Sequence, residues 1–198
     1  MKTKILRWLQ ANIVAVILSI LFIIVYIIKY FYPQINEILG SCSLQWINGQ
    51  FYRWFTDGFL HYGLYHLSGN ILGLLTVSSL ISPLIGKWKM LLVYFMGGAF
   101  GGVAFSWLVS SDVPNYGGGA SGCIFALIAC LVVCYLRFPK EFKMKWYRFD
   151  VLAVIFYFVV ANDNWSSFLT HSLGFVFGTI ISFLLVVFRV IELSKTKE

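Results

Sequence analysis

Four polar side chains stand out in a chain that is otherwise rich in apolar residues: Ser121, His171, His66 and Asn70. A serine hydroxyl becomes a nucleophile when a neighbouring base accepts its proton, and histidine has a suitable pKa near neutrality. His66 and Asn70 are four residues apart, so in a helix they share one face. A serine, a histidine base and two hydrogen-bond donors are the groups that acyl transfer through an oxyanion requires.

Ser121 follows a run of small residues, Gly117-Gly118-Gly119-Ala120. Glycine allows the chain to turn sharply, and backbone N–H groups at a helix N-terminus can then point at a reacting carbonyl. The predicted reaction is acyl transfer to Ser121 with His171 as the base. His66, Asn70 and the Ser121 N–H would stabilise the oxyanion, and water would then hydrolyse the acyl-enzyme.

The composition indicates where this chemistry takes place. Of 198 residues, 60% are hydrophobic, 12% are charged and 19% are aromatic. Soluble domains carry about 25% charged residues, so this chain has too little charge to cover a soluble globule. The aromatic content excludes a disordered chain. We therefore expect an all-α polytopic membrane protein with a single domain over residues 1–198.

Six segments are apolar enough to be membrane helices, which need about 20 residues each. The predicted spans are 12–32, 64–84, 90–110, 121–137, 149–162 and 169–190, with a loop at about 33–63 between the first two. That loop is rich in aromatic residues, and we expect it to lie partly in the outer leaflet. The first span follows basic residues but no cleavage site follows it, so we interpret it as a retained signal anchor.

The basic residues predict the direction of the spans. Thirteen of the 15 Lys and Arg residues fall on one side of the six spans, and only Lys29 and Arg53 fall on the other. The positive-inside rule therefore places both termini in the cytoplasm. This distribution also argues against a nucleic-acid partner, despite the net charge of +7. The even-numbered spans then run inward, which places the first turns with His66, Ser121 and His171 at a similar depth.

Each of these residues also has a purely structural interpretation, because small and polar residues pack and hydrogen-bond between membrane helices. Gly174 and Gly178 lie three and seven residues after His171. They are predicted to pack closely on the small residues Gly122, Ala126 and Ala129 of the fourth span. Such packing would itself bring the serine and histidine helices together, so the structural interpretation supports the functional one.

At these residues the chain resembles the rhomboid intramembrane serine proteases, over about residues 50–180. The similar elements are Arg53 with Thr56, His61, His66-Leu67-x-x-Asn70, Gly119-Ala120-Ser121-Gly122 and His171-x-x-Gly174-x-x-x-Gly178. The resemblance implies the six-transmembrane-helix rhomboid fold, Ser121 as nucleophile, His171 as base, and His66 and Asn70 as oxyanion donors. It also implies no metal and no cofactor, and it implies that no acidic residue joins Ser121 and His171 as a third catalytic group.

The resemblance further implies partners and location. Substrates of this family are single-span membrane proteins cut near the outer end of their helix, usually after a small residue. Transmembrane protein substrates and membrane lipid are therefore the expected partners. The expected location is the cell membrane, in particular a bacterial cytoplasmic membrane, with the active site opening to the extracytoplasmic side. The residues expected to form the substrate pocket or to pack on the dyad are Gly119, Gly122, Phe125 and Gly174.

Three residues depart from the family pattern. Tyr52 stands where a tryptophan usually precedes the loop arginine, and Ser82 stands where a glutamate often caps the second helix. Phe125 replaces a common tyrosine, so its ring can still pack on His171 but its hydroxyl is lost. None of these departures removes a catalytic group.

Two other functions fit parts of the sequence. The first is a catalytically inactive rhomboid-like protein that binds membrane clients, although such relatives typically lose the serine or the histidine. The second is a small transporter, which intramembrane polar residues and glycine-rich helices would suit. Against the transporter, no acidic residue lies mid-membrane in the predicted spans and no inverted repeat is apparent.

Overall fold

The structure is a computed structural model that describes residues 2–139, Phe156 and residues 165–191. These residues form an α-helical bundle. Its long helices are α1 (Lys2–Phe31), α5 (Leu64–Ile85), α6 (Lys87–Leu108), α7 (Ser121–Arg137) and α8 (Trp165–Val187). Three short helices and a 3-10 turn lie in the loop that connects α1 to α5: α2 (Ile35–Leu39), α3 (Leu44–Ile47), α4 (Arg53–Thr56) and Asp57–Phe59.

Among the described residues, four helical segments are long and apolar enough to cross a membrane: Trp8–Phe31 within α1, and the whole of α5, α6 and α8. The fourth predicted span is present as α7, which has 17 residues and is shorter than the others. The fifth predicted span, 149–162, lies outside the described residues apart from Phe156, which is helical. The six-span count and the cytoplasmic position of both termini therefore remain predictions.

The helix boundaries follow from local sequence signals. Gly86 separates α5 from α6 and has a φ of +86°, a conformation that residues with a side chain rarely adopt. Pro33 lies just beyond the end of α1 at Phe31, in keeping with its inability to donate a helical hydrogen bond. Pro83 lies in the last turn of α5, which continues to Ile85, so it does not interrupt that helix. Helix α1 begins at Lys2, before the predicted membrane span that starts near residue 12, because the basic N-terminal residues favour helix.

Polar contacts join the N-terminal part of α1 to the C-terminal part of α5. The Ser78 hydroxyl donates to the Asn12 side-chain oxygen, and the Asn12 amide donates to the Trp8 carbonyl at 3.0 Å. The Ser82 hydroxyl donates to the carbonyl of Ala11. The Ser82 side chain thus links α5 to α1.

Helix α7 is the centre of the bundle and contacts α5, α6 and α8. All its residues from Gly122 to Leu131 are buried. Small residues allow its neighbours to approach closely, because a Cβ at Gly178 or Gly97 would overlap Ala126. A Cβ at Gly174 would likewise lie only 2.9 Å from the carbonyl carbon of Gly122. The predicted packing of Gly174 and Gly178 on Gly122 and Ala126 is therefore confirmed.

Three of the four cysteines fall in one apolar segment, which predicts small packing residues. Cys123, Cys130 and Cys134 are buried in α7, in agreement with that prediction. Cys42 is also buried.

Candidate active site

Ser121 is the first residue of α7, and the loop before it is attached to the α1–α5 loop. Ser41 and Gly117 form an isolated β-bridge. The Ser41 N–H donates to the Gly117 carbonyl at 3.0 Å, and the Gly117 N–H donates to the Ser41 carbonyl at 2.7 Å. This bridge holds the start of the glycine run against a loop that lies far from it in the sequence.

The next two glycines of the run lie on the turn Asp57–Phe59. The Gly119 N–H donates to the Asp57 carbonyl at 3.0 Å. A Cβ at Gly118 would lie 2.5 Å from that same carbonyl oxygen and 2.9 Å from the Leu60 Cβ. Gly118 therefore has no room for a side chain, and the close approach of the two backbones explains the glycine.

The side chains of His66 and Ser121 both lie beside Gly119. A Cβ at Gly119 would lie 2.9 Å from Nε2 of His66 and 3.8 Å from Oγ of Ser121. Both side chains are half-buried. Because both polar atoms lie within 4 Å of one point, the structure brings these two predicted site residues together beside the glycine backbone.

Asn70 lies one turn after His66 on the same face of α5, as the four-residue spacing predicts. Its side-chain amide donates to the His66 carbonyl at 2.8 Å, and its side chain is buried. An amide group carries two N–H donors, so this bond uses one of them and fixes the plane of the group. The Asn70 side chain is thereby held against its own helix, α5, which contacts α7.

His171 is buried in the second turn of α8, where its imidazole stacks on the ring of Phe125. The ring centroids are 4.3 Å apart and the planes differ by 5°. Phe125 lies four residues after Ser121, and residues at this spacing are neighbours on a helix surface. The stacking therefore places His171 next to the turn of α7 that begins with Ser121, and it confirms the expected packing of the Phe125 ring.

Close contact between α7 and α8 supports this arrangement. A Cβ at Gly122 would lie 3.3 Å from Cγ2 of Thr170, and a Cβ at Gly174 would lie 3.1 Å from the Gly122 Cα. Thr170 precedes His171 and Gly122 follows Ser121. The backbones that carry the serine and the histidine are thus in van der Waals contact at this end of the bundle.

His61 is a third histidine beside the site. Its ring is fully buried, with centroids 5.0 Å from Phe22 and 5.1 Å from His66. Burial, together with the neighbouring His66, lowers the pKa of His61 to about 4. The His61 ring is therefore neutral at neutral pH, and it contacts the rings of Phe22 and His66.

Arg53 and Thr56 hold the α1–α5 loop from within. The guanidinium of Arg53 is buried and donates to the Gly40 carbonyl at 2.8 Å and to the Gln50 side chain at 2.7 Å. The Thr56 hydroxyl donates to the Leu39 carbonyl at 2.9 Å. These contacts hold residues 39 and 40, just before the Ser41–Gly117 bridge, so Arg53 and Thr56 stabilise the α1–α5 loop.

Two further residues near the glycine run are not indicated by their spacing in the sequence. Asp57 accepts the Gly119 N–H through its carbonyl, and burial raises the pKa of its carboxyl group to about 7. The Tyr62 hydroxyl donates to the Tyr116 carbonyl at 2.8 Å. Both contacts join segments more than 50 residues apart, so only the folded chain reveals them.

The described helices, four of them with segments long and apolar enough to cross a membrane, define a class of protein, a helical membrane protein. Ser121, His66, Asn70 and His171 lie in the first two turns of α7, α5 and α8. Residues 48–188 match the Rhomboid domain family model. The chain belongs to the rhomboid family, as its motifs predict.

Relatives of the chain include both a protease and proteins described as inactive. It is 30% identical over 162 residues to rhomboid protease GluP of Bacillus subtilis, which is 73% of this chain and 31% of that protein. It is 28% identical over 136 residues to human inactive rhomboid protein 1 and 26% identical over 136 residues to human inactive rhomboid protein 2. Each of these two matches covers 68% of this chain and 16% of the relative. The chain thus spans less than a third of the length of these relatives.

Proposed function

We propose that the chain is an intramembrane serine protease that uses a Ser121–His171 dyad to hydrolyse a peptide bond in or near the outer end of single-span membrane protein helices. The observation that carries the proposal is the contact of α7 with α8, in which His171 stacks on Phe125 one turn from Ser121. A serine without a nearby base would be a weak nucleophile at neutral pH. In the proposed dyad His171 is that base.

In the proposed mechanism His171 accepts the proton of the Ser121 hydroxyl while Oγ attacks the carbonyl carbon of the scissile bond. The imidazolium then gives that proton to the leaving amine as the C–N bond breaks, which leaves an acyl-enzyme. Water attacks the ester with His171 again as the base, and the proton returns to Ser121 when the carboxylic acid leaves. No metal, no cofactor and no acidic residue takes part in these proposed steps.

The oxyanion of each tetrahedral intermediate is proposed to accept hydrogen bonds from His66, Asn70 and the Ser121 N–H. His66 Nε2 and Ser121 Oγ both lie within 4 Å of the position that a Cβ would take at Gly119, and this supports the assignment. The N-terminus of α7 adds a favourable helix dipole to the same site. Donors that are already oriented in a site of low polarity stabilise developing charge strongly, because little reorganisation is needed.

The remaining predicted residues are proposed to shape the site. Phe125 orients the imidazole, and Gly122 and Gly174 permit the close approach of α7 to α8. A Cβ at Gly119 would lie under 3 Å from the His66 ring, so the glycine permits the close approach of that ring to the backbone before Ser121.

The proposed substrates are transmembrane proteins in contact with lipid in the bacterial cytoplasmic membrane. A helix hides its carbonyl groups in internal hydrogen bonds, so a substrate must unwind locally before Ser121 can attack. With both termini in the cytoplasm, the site at the N-terminal ends of α5, α7 and α8 would open to the extracytoplasmic side. The 1–198 region would act as a single rhomboid membrane domain.

A second candidate function is the binding of membrane clients without cleavage. The similarity to inactive rhomboid proteins 1 and 2 favours this candidate. The presence of both Ser121 and His171, with the histidine stacked beside the serine turn, favours the protease.

Labelling with a fluorophosphonate probe in detergent, combined with cleavage of a model single-span substrate, tests the proposal. We expect the wild type to label and to cleave, and both activities to be lost in Ser121→Ala and in His171→Ala. The matched control is Ser68→Ala, an exposed serine of α5 whose hydroxyl donates to the Tyr65 carbonyl, and it should behave as the wild type does. A wild type that binds the substrate but neither labels nor cleaves it would support the inactive alternative.

A further inference from the structure

We propose that Tyr62 is a positioning residue whose hydroxyl group holds the loop that leads to Ser121. This inference rests on the proposed function, since it concerns the same serine. The Tyr62 hydroxyl donates to the carbonyl of Tyr116 at 2.8 Å, across 54 residues of sequence. Tyr116 directly precedes the glycine run 117–119.

The glycine run depends on external contacts for its path. Glycine loses more conformational freedom on folding than any other residue, so a run of three has little preference of its own. Two backbone contacts hold the run further along, the Ser41–Gly117 bridge and the bond from Gly119 to Asp57. At the beginning of the same segment, the Tyr62 side chain donates a hydrogen bond to the Tyr116 carbonyl.

Lys29 holds the Tyr62 ring in place from the other side. Its ammonium group lies 3.6 Å from the centroid of that ring and donates to the His61 carbonyl at 2.9 Å. A cation over an aromatic face is attracted by the quadrupole of the ring, whose face is electron-rich. Lys29 is near the end of α1, so the contacts form a continuous path from α1 through Tyr62 to Tyr116.

The position of the loop determines the geometry of the site. Gly119 lies against the His66 ring, and Ser121 follows two residues later at the start of α7. A displacement of the loop would therefore move the backbone beside the serine relative to the His66 side chain. Oxyanion stabilisation depends on donor positions within a fraction of an ångström, so the loss should appear in the chemical step. Substrate binding should change little.

The test compares Tyr62→Phe with Tyr65→Phe in the full chain. Tyr62→Phe keeps the ring under Lys29 and removes the hydroxyl, whereas Tyr65 is a 78% exposed tyrosine three residues along. We measure the rate of fluorophosphonate labelling, and kcat and KM for a single-span substrate. We expect Tyr62→Phe to lower the labelling rate and kcat by roughly three- to tenfold, the factor that one hydrogen bond is typically worth. KM should stay unchanged, and Tyr65→Phe should match the wild type.

The outcomes separate this inference from the proposed function. A wild type that does not label contradicts the protease itself and, with it, any catalytic role of Tyr62. If the wild type labels and Tyr62→Phe labels equally fast, only the inference is wrong. A rise in KM with unchanged kcat also overturns it, because Tyr62 would then contact the substrate instead of positioning the loop.

A double-mutant cycle with Lys29→Met tests the path through the ring. If Lys29 acts by holding the Tyr62 ring, Lys29→Met should slow labelling in the wild-type background and have a much smaller effect in the Tyr62→Phe background. Equal effects in both backgrounds would mean that Lys29 does not act through the Tyr62 hydroxyl. Hydrogen exchange at the amides of Gly117 and Gly119 gives a readout that is independent of activity, and it should become faster in Tyr62→Phe.

Discussion

The imidazole of His171 lies parallel to the ring of Phe125, with 4.3 Å between their centroids and 5° between their planes. Both side chains are buried, so neither can turn without disturbing the interface of α7 and α8. The contact fixes the plane of the proposed base one turn from Ser121. It also shows that the phenylalanine at this position packs on the histidine without a hydroxyl group.

Replacement of Phe125 by a non-aromatic residue should impair the dyad. Parallel aromatic pairs contribute about 0.5–1.5 kcal/mol beyond their burial, so Phe125→Leu should lower kcat by roughly three- to tenfold. Phe125→Tyr keeps the stacked ring and should remain within about twofold of the wild type, since a twofold change is only about 0.4 kcal/mol. The rate of fluorophosphonate labelling measures the effect, with thermal unfolding as the control for folding. Wild-type labelling in Phe125→Leu would mean that the stack does not orient His171.

Substitution of Gly174 should destabilise the bundle itself. A Cβ at this position would overlap the Gly122 carbonyl and lie 2.9 Å from its carbon, and backbone atoms cannot rotate away. Overpacking of a helix interface costs about 1–3 kcal/mol, so Gly174→Ala should lower the midpoint of thermal unfolding in detergent.

Gly69→Ala is the matched control for Gly174→Ala. Gly69 is also helical, but among the described residues nothing lies within 4 Å of the position that a Cβ would take there. Alanine is favoured over glycine in a helix by roughly 0.5–1 kcal/mol, so this variant should be as stable as the wild type or more so. Equal destabilisation of the two variants would contradict the assigned role of the α7–α8 contact.

The charge state of His61 predicts a loss of stability in acid. Its pKa in the folded protein is about 4, whereas an unfolded histidine has a pKa of about 6.5. The unfolded chain therefore takes up the proton first as the pH falls, and this favours unfolding between about pH 6.5 and pH 4. We expect the unfolding midpoint of the wild type, relative to that of His61→Gln, to fall across this range. The titratable groups that both proteins share cancel in the difference between the two midpoints. If that difference stays constant with pH, the pKa of His61 is not lowered in the folded protein.

The helices and the candidate catalytic residues of this protein could be predicted from the sequence, because both leave local signals. The start of α7 at Ser121 follows from the glycine run before an apolar segment, and the packing of Gly174 on Gly122 follows from two patterns of small residues. Contacts of the α1–α5 loop leave no such signal. The bonds of Asp57 and Tyr62 to the glycine run depend on how a long loop folds over the helices, and neither apolar periodicity nor residue spacing encodes that path.

The raised pKa of Asp57 predicts that its contribution to stability changes with pH in the opposite direction to that of His61. Burial raises the pKa of its carboxyl group to about 7, opposed by a hydrogen bond from the Gly58 N–H, whereas an unfolded aspartate has a pKa of about 3.9. The folded chain therefore binds the extra proton between about pH 4 and pH 7, and this contribution to stability is lost as the pH rises through that range. Asp57→Asn is neutral at every pH, and its carbonyl can still accept the Gly119 N–H. The unfolding midpoint of the wild type relative to Asp57→Asn should fall from pH 4.5 to pH 8, a range that brackets the pKa of about 7. A midpoint difference that stays constant, or that grows as the pH rises, would mean that the carboxylate is solvated or paired in the folded protein and that burial does not hold a proton on it.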